Sequence, residues 1–133
     1  MTGSIEQRGA RMAQTWLKIA VLYLLIGVIF GMVMAGNHQF QYAPVHAHIN
    51  LLGWASMGLA GVIYWLFPRA GGHWLGLAHF WLHNIGLPIA MVSLFLMLGG
   101  NPAMEKLVAL GSLAIVAGVV LFAVNVFVNV KTA

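Results

Sequence analysis

Long stretches without charge constrain the fold of this chain more than any other feature. No charged side chain occurs in residues 19–68, 70–104 or 107–130. A transmembrane α-helix needs about 20 predominantly apolar residues. The first stretch is therefore long enough for two such helices, and each of the other two for one. The sequence predicts an all-α fold, a bundle of four transmembrane helices.

The composition excludes a soluble domain of this size. Hydrophobic residues make up 62% of the 133 residues and charged residues only 6%, whereas a typical soluble domain is about 25% charged. A small fold leaves much of its surface exposed, so we expect that surface to face the lipid bilayer. The formal net charge of +4 does not indicate nucleic acid, because the basic residues are scattered along the chain and form no patch. The absence of cysteine excludes disulfides and thiolate metal sites.

Clusters of glycine, proline and asparagine separate the apolar segments and place the helix ends. On span one, Gly27 and Gly31 form a pair of small residues that is typical of close helix packing. The boundaries predict one integral membrane domain over residues 1–133, with helices at about 16–35, 45–67, 75–98 and 103–130.

The basic residues also predict an orientation. The N-terminal segment, the loop between spans two and three and the C-terminal end all lie on the same side of a four-span bundle, and most of the basic residues are in these segments. The opposite side has only Lys106, beside Glu105. The positive-inside rule then places both termini in the cytoplasm, in an inner membrane of bacterial type. The first apolar run, with its basic flank and its small-residue ending at Ala35, also resembles a signal peptide, but we expect it to be retained as the first span. The basic residues on the predicted cytoplasmic side are Arg8, Arg11, Lys18, Arg69 and Lys131.

Histidine is the most unusual feature of the composition, with six residues against two carboxylates. Ionisable groups in membrane spans are costly and are candidates for function. His46 and His48 open the second span, and two positions on an α-helix advance by about 200° and about 3 Å. Their imidazoles therefore point to nearly opposite faces at nearly the same depth. They serve two sites that flank the helix, or one serves a site while the other contacts a neighbouring helix, or both only form hydrogen bonds to water and headgroups.

His79 and His83 form a second pair, on the third span. Residues at i and i+4 share a helix face, and this spacing suits a metal ion or a proton relay. The alternative is that His79 lies at the membrane interface and His83 forms a packing hydrogen bond to another helix. Because spans two and three run antiparallel, we expect His83 to lie more than about 10 Å from His48. A second ligand for a bis-histidine site near His48 would then come from another copy of the chain.

Two segments resemble a known family. Residues 42–54, Tyr-Ala-Pro-Val-His-Ala-His-Ile-Asn-Leu-Leu-Gly-Trp, are similar to the haem-ligand helix of the haem–copper oxidase superfamily, in the catalytic subunit (subunit I) of cytochrome c oxidases and nitric oxide reductases. Residues 79–88 are similar to segments of short membrane proteins grouped with that subunit. In the family, a His-x-His pair serves two different haems, and His46 and His48 match it. The family's twelve helices form three four-helix units, which implies a homotrimer of this chain.

The resemblance implies a b-type haem between neighbouring chains, with His46 from one and His48 from the next as axial ligands of the iron. Asn50 and Trp54 would orient or pack beside this group, and Gly53 would let the flat macrocycle approach the backbone. The adjacent histidine pair of the family's copper site is missing, so the expected function is electron transfer, from quinol or a redox protein, or sensing of redox state or a diatomic gas. We expect a carrier or sensor rather than a complete oxidase.

A different class of function stays open from the residues alone. In this alternative the chain is a non-catalytic helper or assembly protein that binds copper or zinc through His79 and His83.

Overall fold

The computed structural model describes residues 2–131, and within this range the chain forms helices and no strand. Four segments are long and apolar enough to cross a membrane, and they are named spans 1 to 4: Gly3–Gly36, Phe40–Leu66, Trp74–Leu98 and Pro102–Asn129. The all-α prediction and the four predicted spans are therefore confirmed, and they indicate a membrane protein. The α-helices are α1 Thr2–Gly36, α2 Ala43–His48, α3 Ser56–Leu66, α4 Pro68–Gly72, α5 Trp74–Leu98 and α6 Glu105–Asn129.

The surface and the interior are arranged as lipid requires. Large apolar side chains such as Leu22 and Phe127 are exposed along the spans, while His79, His83 and Asn125 are buried. Lipid solvates apolar side chains, so the polar groups gain by lying where another helix supplies a hydrogen-bond partner.

Helix α1 begins at Thr2, so the prediction that the first helix starts near residue 16 is wrong at that end. Its 35 residues span about 52 Å at 1.5 Å per residue, well beyond the roughly 30 Å apolar core of a bilayer. The additional turns pack on the short helix α4, where a Cβ on Gly9 would strike the Pro68 carbonyl. Glu6 Oε1 also pairs with Arg69 Nε at 3.2 Å. This tertiary contact supports helical turns that apolar length alone does not predict.

The sequence predicted one continuous helix for the second span, and this is wrong. A 3₁₀ turn, Phe40–Tyr42, leads into α2, and a π-helical segment, Ile49–Ala55, separates α2 from α3. In a π-helix the backbone bonds run from i to i+5, and such segments are frequent at functional sites. Here the carbonyl of Leu52, inside the segment, accepts a hydrogen bond from His83 Nε2 at 2.8 Å. The π-helical segment thus ties span 2 to span 3.

Glycines allow the helices to approach closely, as predicted for Gly27 and Gly31. A Cβ on Gly27 would lie 2.6 Å from Asn50 Oδ1, so this glycine seats span 2 against α1. Between spans 3 and 4, a Cβ on Gly111 would lie 2.6 Å from the Ala90 nitrogen and 2.8 Å from the Gly86 carbonyl oxygen. Backbone therefore meets backbone there, which is the usual role of small residues between membrane helices.

Candidate functional site

His46 is held against α1 by its Nδ1 atom. This nitrogen lies 3.0 Å from the Gly27 carbonyl oxygen, and a carbonyl can only accept, so we assign the imidazole proton to Nδ1. Asn50 is one helical turn further on, where its Nδ2 donates to the His46 carbonyl at 2.9 Å and lies 3.3 Å from His46 Nδ1. With the proton on Nδ1, the neutral ring has its lone pair on Nε2, the form that binds metals.

Gly31 supplies the space in which the His46 ring lies. A Cβ at position 31 would be 2.5 Å from Cε1 and 2.9 Å from Nδ1 of that imidazole. Any side chain there would displace the ring. The Gly27–Gly31 pair was predicted as a packing patch, and the structure shows that part of what it packs is a candidate ligand.

The His48 imidazole is also held at Nδ1 by a backbone carbonyl, but it faces a different side of the helix. Its Nδ1 lies 2.6 Å from the Pro44 carbonyl oxygen, four residues earlier on the same helix. The same reasoning places the proton on Nδ1 and the lone pair on Nε2. The side chain is exposed and lines a groove of about 520 Å³ between spans 2, 3 and 4. The rest of the groove wall is almost entirely apolar, with Leu52, Met91 and Val116 among its residues.

The two imidazoles therefore point apart, as the helical spacing predicted: His46 packs on α1 and His48 lies at the groove beside α5 and α6. Among residues 2–131, the buried side-chain nitrogens without a hydrogen-bond partner are Trp16 Nε1 and His83 Nδ1. Nε2 of His46 is not among them, and the structure shows no hydrogen bond to it, so it is accessible from outside the chain. The pair can offer one nitrogen lone pair on each side of the helix.

The three residues predicted beside this pair differ in outcome. Asn50 packs beside the His46 ring, but its hydrogen bond goes to the His46 backbone carbonyl, so the orienting role expected for it stays a prediction. Trp54 lies on the surface of span 2 and is 38% exposed. The interpretation of Gly53 needs correction, because a Cβ there would lie 2.5 Å from Cγ of Tyr23. The open side of Gly53 is therefore filled by a ring from α1 and leaves no room for a macrocycle.

His79 lies inside the bundle and is only 3% exposed, so its ring is shielded from whatever surrounds the helices. Its Nδ1 lies 2.9 Å from the Tyr64 hydroxyl. The Tyr64 oxygen accepts from Asn125 Nδ2 at 3.4 Å, which leaves the hydroxyl proton to be donated to His79. Asn125 Nδ2 also donates to the Ala70 carbonyl at 2.9 Å. Two aromatic rings, Trp16 and Phe122, flank the imidazole, each at 4.7 Å between centroids.

His83 makes the cross-helix hydrogen bond that the packing alternative predicted, from Nε2 to the Leu52 carbonyl at 2.8 Å. Leu52 follows His48 by four residues and lines the same groove. The hydrogen bond therefore joins His83 to the backbone one turn beyond His48. The second nitrogen of His83, Nδ1, is buried without a partner.

Both histidines of the His79–His83 pair contribute to the packing of the bundle. Each ring has one nitrogen in a hydrogen bond, to Tyr64 or to the Leu52 backbone. Over residues 2–131, no three His, Asp or Glu side chains come close enough together to hold a metal ion. A haem iron is a different case, because the macrocycle supplies four nitrogens and the protein needs to supply only one or two.

The two remaining histidines have local surroundings. His38 is exposed in the turn after α1, where its φ is +54°. His73 precedes α5 and its Nδ1 accepts a hydrogen bond from the Leu75 backbone N–H at 3.3 Å. A histidine acceptor at this position caps the helix N-terminus.

Sequence reasoning missed the groups that orient the imidazoles. The spacing of Pro44 and His48, i to i+4, is a signal that could have identified the carbonyl partner of His48. The partners of His46 and His79 come from other helices, at Gly27 and Tyr64. Nothing in the local pattern identifies them.

Comparison of the chain with known proteins gives no match to a family model, to a curated protein or to a solved structure.

Proposed function

We propose that this chain is a membrane haem b protein in which His46 and His48 supply the axial ligands of the iron. The observation that carries the proposal is shared by both rings: Nδ1 is hydrogen-bonded to a backbone carbonyl, at 3.0 Å for His46 and 2.6 Å for His48. Histidines that ligate metals almost always donate their other ring N–H to such a group, which sets the tautomer and the ring orientation. Both rings thus have the arrangement of a ligand before any metal is bound.

The groove beside His48 supports a macrocycle rather than a small ion. Its volume of about 520 Å³ falls in the usual range for cofactor sites, roughly 300–1,000 Å³. Leu52, Met91 and Val116 give it apolar walls, and His48 is its imidazole. An apolar wall with one nitrogen ligand suits the hydrophobic face of a porphyrin, whereas a hydrated ion would gain nothing from it.

Opposite directions of the two imidazoles imply more than one copy of the chain at each haem. We propose that each iron takes His46 from one chain and His48 from a neighbouring chain. Such a head-to-tail contact forms a ring when the rotation between successive chains closes, and the resemblance to the twelve-helix oxidase subunit favours a homotrimer. In this proposal both termini face the cytoplasm of a bacterial-type inner membrane, because the basic residues gather at the end of the bundle that holds Arg69.

When bound, haem supplies one-electron redox chemistry. The chain's own residues would hold both axial positions with histidine, which leaves the iron no open site for substrate. Electron transfer, with quinol or a redox protein as partner, is therefore the proposed function. Sensing of redox state or of a diatomic gas becomes the alternative if one histidine dissociates. No copper-dependent oxygen reduction is proposed.

Absorption spectra of detergent-purified protein test the proposal, recorded air-oxidised and dithionite-reduced with iron counted per chain. We expect a sharp reduced α-band of six-coordinate haem b at about one haem per chain. His46→Ala and His48→Ala should each remove most of the haem, whereas His38→Ala, an exposed histidine near the same end of the bundle, should retain it. Absence of a Soret band after haem-supplemented expression, or full haem content in either single variant, would refute the shared site.

A copper or zinc protein is the second candidate, favoured by one observation: His83 Nδ1 is buried and unpartnered, next to His79. Metal content after His83→Ala separates the two candidates. The haem proposal expects iron per chain to be unchanged in that variant. Loss of bound copper or zinc, in a protein that holds no haem, would favour the second candidate.

A further inference from the structure

A second cavity lies at the opposite end of the bundle from His46 and His48. Its volume is about 560 Å³, and residues from the start of α1, from α4 and from the end of span 4 line it. Its lining residues are of two kinds. Leu66, Phe67 and Val128 are apolar, and Arg69, His73 and Lys131 carry polar or charged groups. A mixed cavity of this kind at the border of the apolar zone meets both the headgroups and the first acyl carbons of lipids.

The polar lining residues are rich in hydrogen-bond donors. Arg69 uses Nε for its ion pair with Glu6, at 3.2 Å, and a guanidinium keeps four further N–H donors on its two terminal nitrogens. His73 Nδ1 accepts from the backbone, so the proton of the neutral ring is on Nε2 and that atom is a donor. Lys131 adds an ammonium group. Glu6 is the single carboxylate among the lining residues; its charge and that of Arg69 offset each other, and Lys131 supplies the net positive charge.

We propose that this cavity binds the phosphate of an anionic phospholipid headgroup. Arg69, His73 and Lys131 would donate to the phosphate oxygens, since arginine and lysine are the usual partners of phosphate. Leu66, Phe67 and Val128 would contact the glycerol and the first acyl carbons, which a free phosphate ion lacks. Basic pockets between membrane helices are known to bind such headgroups. This inference depends on the cavity alone and does not require that the chain bind haem.

Native mass spectrometry of the protein released from detergent tests the proposal. The protein is titrated with phosphatidylglycerol and, separately, with phosphatidylcholine of the same acyl chains. We expect preferential binding of phosphatidylglycerol, reduced about fivefold by Arg69→Gln and by Lys131→Gln, since one basic residue near a lipid headgroup has an effect of that order. Lys106→Gln, which removes an exposed lysine at the other end of the bundle, is the matched control and should bind as the unmodified chain does.

Several outcomes would overturn the proposal. Equal binding of the two lipids, or an equal loss in Lys106→Gln, would show that no specific headgroup site exists at this cavity. Competition by inorganic phosphate at concentrations similar to the lipid would show that the site takes the free ion instead. Circular dichroism detects any change in folding caused by Arg69→Gln. Lys131 is exposed, so Lys131→Gln tests the role of positive charge in lipid binding even if the Arg69 variant is misfolded.

Discussion

Replacing Gly31 by alanine tests the packing of His46 directly. The added Cβ would lie 2.5 Å from Cε1 of the imidazole, whereas ordinary contact begins at 3.4 Å, so the ring must move by about 1 Å. The hydrogen bond from Nδ1 to the Gly27 carbonyl, 3.0 Å long, would then exceed the usual hydrogen-bond range. The substitution therefore changes the orientation of the ring without removing it.

The expected change in stability follows from three contributions. The lost hydrogen bond costs about 0.5–1.5 kcal/mol, and forcing an extra methyl into a packed contact costs about 1–3 kcal/mol. Alanine is a better helix former than glycine by about 0.5–1 kcal/mol, which offsets part of this. Together these contributions predict that Gly31→Ala lowers the free energy of unfolding of the haem-free protein by about 0.5–4 kcal/mol.

The assay is unfolding by sodium dodecyl sulfate in mixed micelles, followed by circular dichroism. Gly58→Ala is the matched control, because its Cβ would lie 4.0 Å from Ala20 Cβ, an ordinary contact. That control should be unchanged or slightly more stable. Equal stability of the Gly31 and Gly58 variants would contradict the packing argument.

A haem titration of the same two variants adds a functional measurement. Substitution of a residue that orients a metal ligand typically lowers metal affinity by about 10–100-fold. We therefore expect Gly31→Ala to lower haem affinity by that factor. If its stability falls and its haem affinity does not, His46 is not an axial ligand, although the packing argument stands.

Three further predictions use the same unfolding assay. Tyr64→Phe should cost about 1–3 kcal/mol, because it leaves buried polar groups without their hydroxyl partner, and a loss below about 0.5 kcal/mol would contradict the network. Gly111→Ala should destabilise the protein by about 1–3 kcal/mol, because its Cβ would meet backbone atoms. Gly118→Ala, whose nearest contact would be 3.3 Å, should cost less. A larger loss of stability in Gly118→Ala than in Gly111→Ala would contradict the close backbone contact at Gly111. His46→Ala should lower the stability of the haem-free protein, whereas His48→Ala, exposed and bonded only within its own helix, should change it by less than about 0.5 kcal/mol. Equal losses in the two histidine variants would contradict their different surroundings.

Some features of this protein follow from short-range pattern alone. The charge-free stretches predict four spans because a charge in the apolar core of a bilayer is costly wherever it lies. The third span ends at Leu98, as predicted, because the following Gly-Gly-Asn-Pro sequence does not continue a helix. The divergence of His46 and His48 also follows locally, from the rotation of 100° per residue within one turn.

Other features depend on contacts between helices, and no local pattern contains them. In lipid both the buried and the exposed face of a helix are apolar, so hydrophobic periodicity does not show which face packs. For this reason the sequence could not place Tyr23 against Gly53, or the first turns of α1 against α4.

A further difference between prediction and structure is in span 2, where a tertiary contact accompanies the change in helix type. The π-helical segment Ile49–Ala55 and the hydrogen bond from His83 to Leu52 occur together, and the partner comes from 31 residues further along the chain. The sequence by itself determined the number of spans and the residues that carry imidazoles. For His46, His79 and His83, only the tertiary structure decided which ring nitrogen forms the hydrogen bond, because the carbonyl or hydroxyl partner belongs to a different helix.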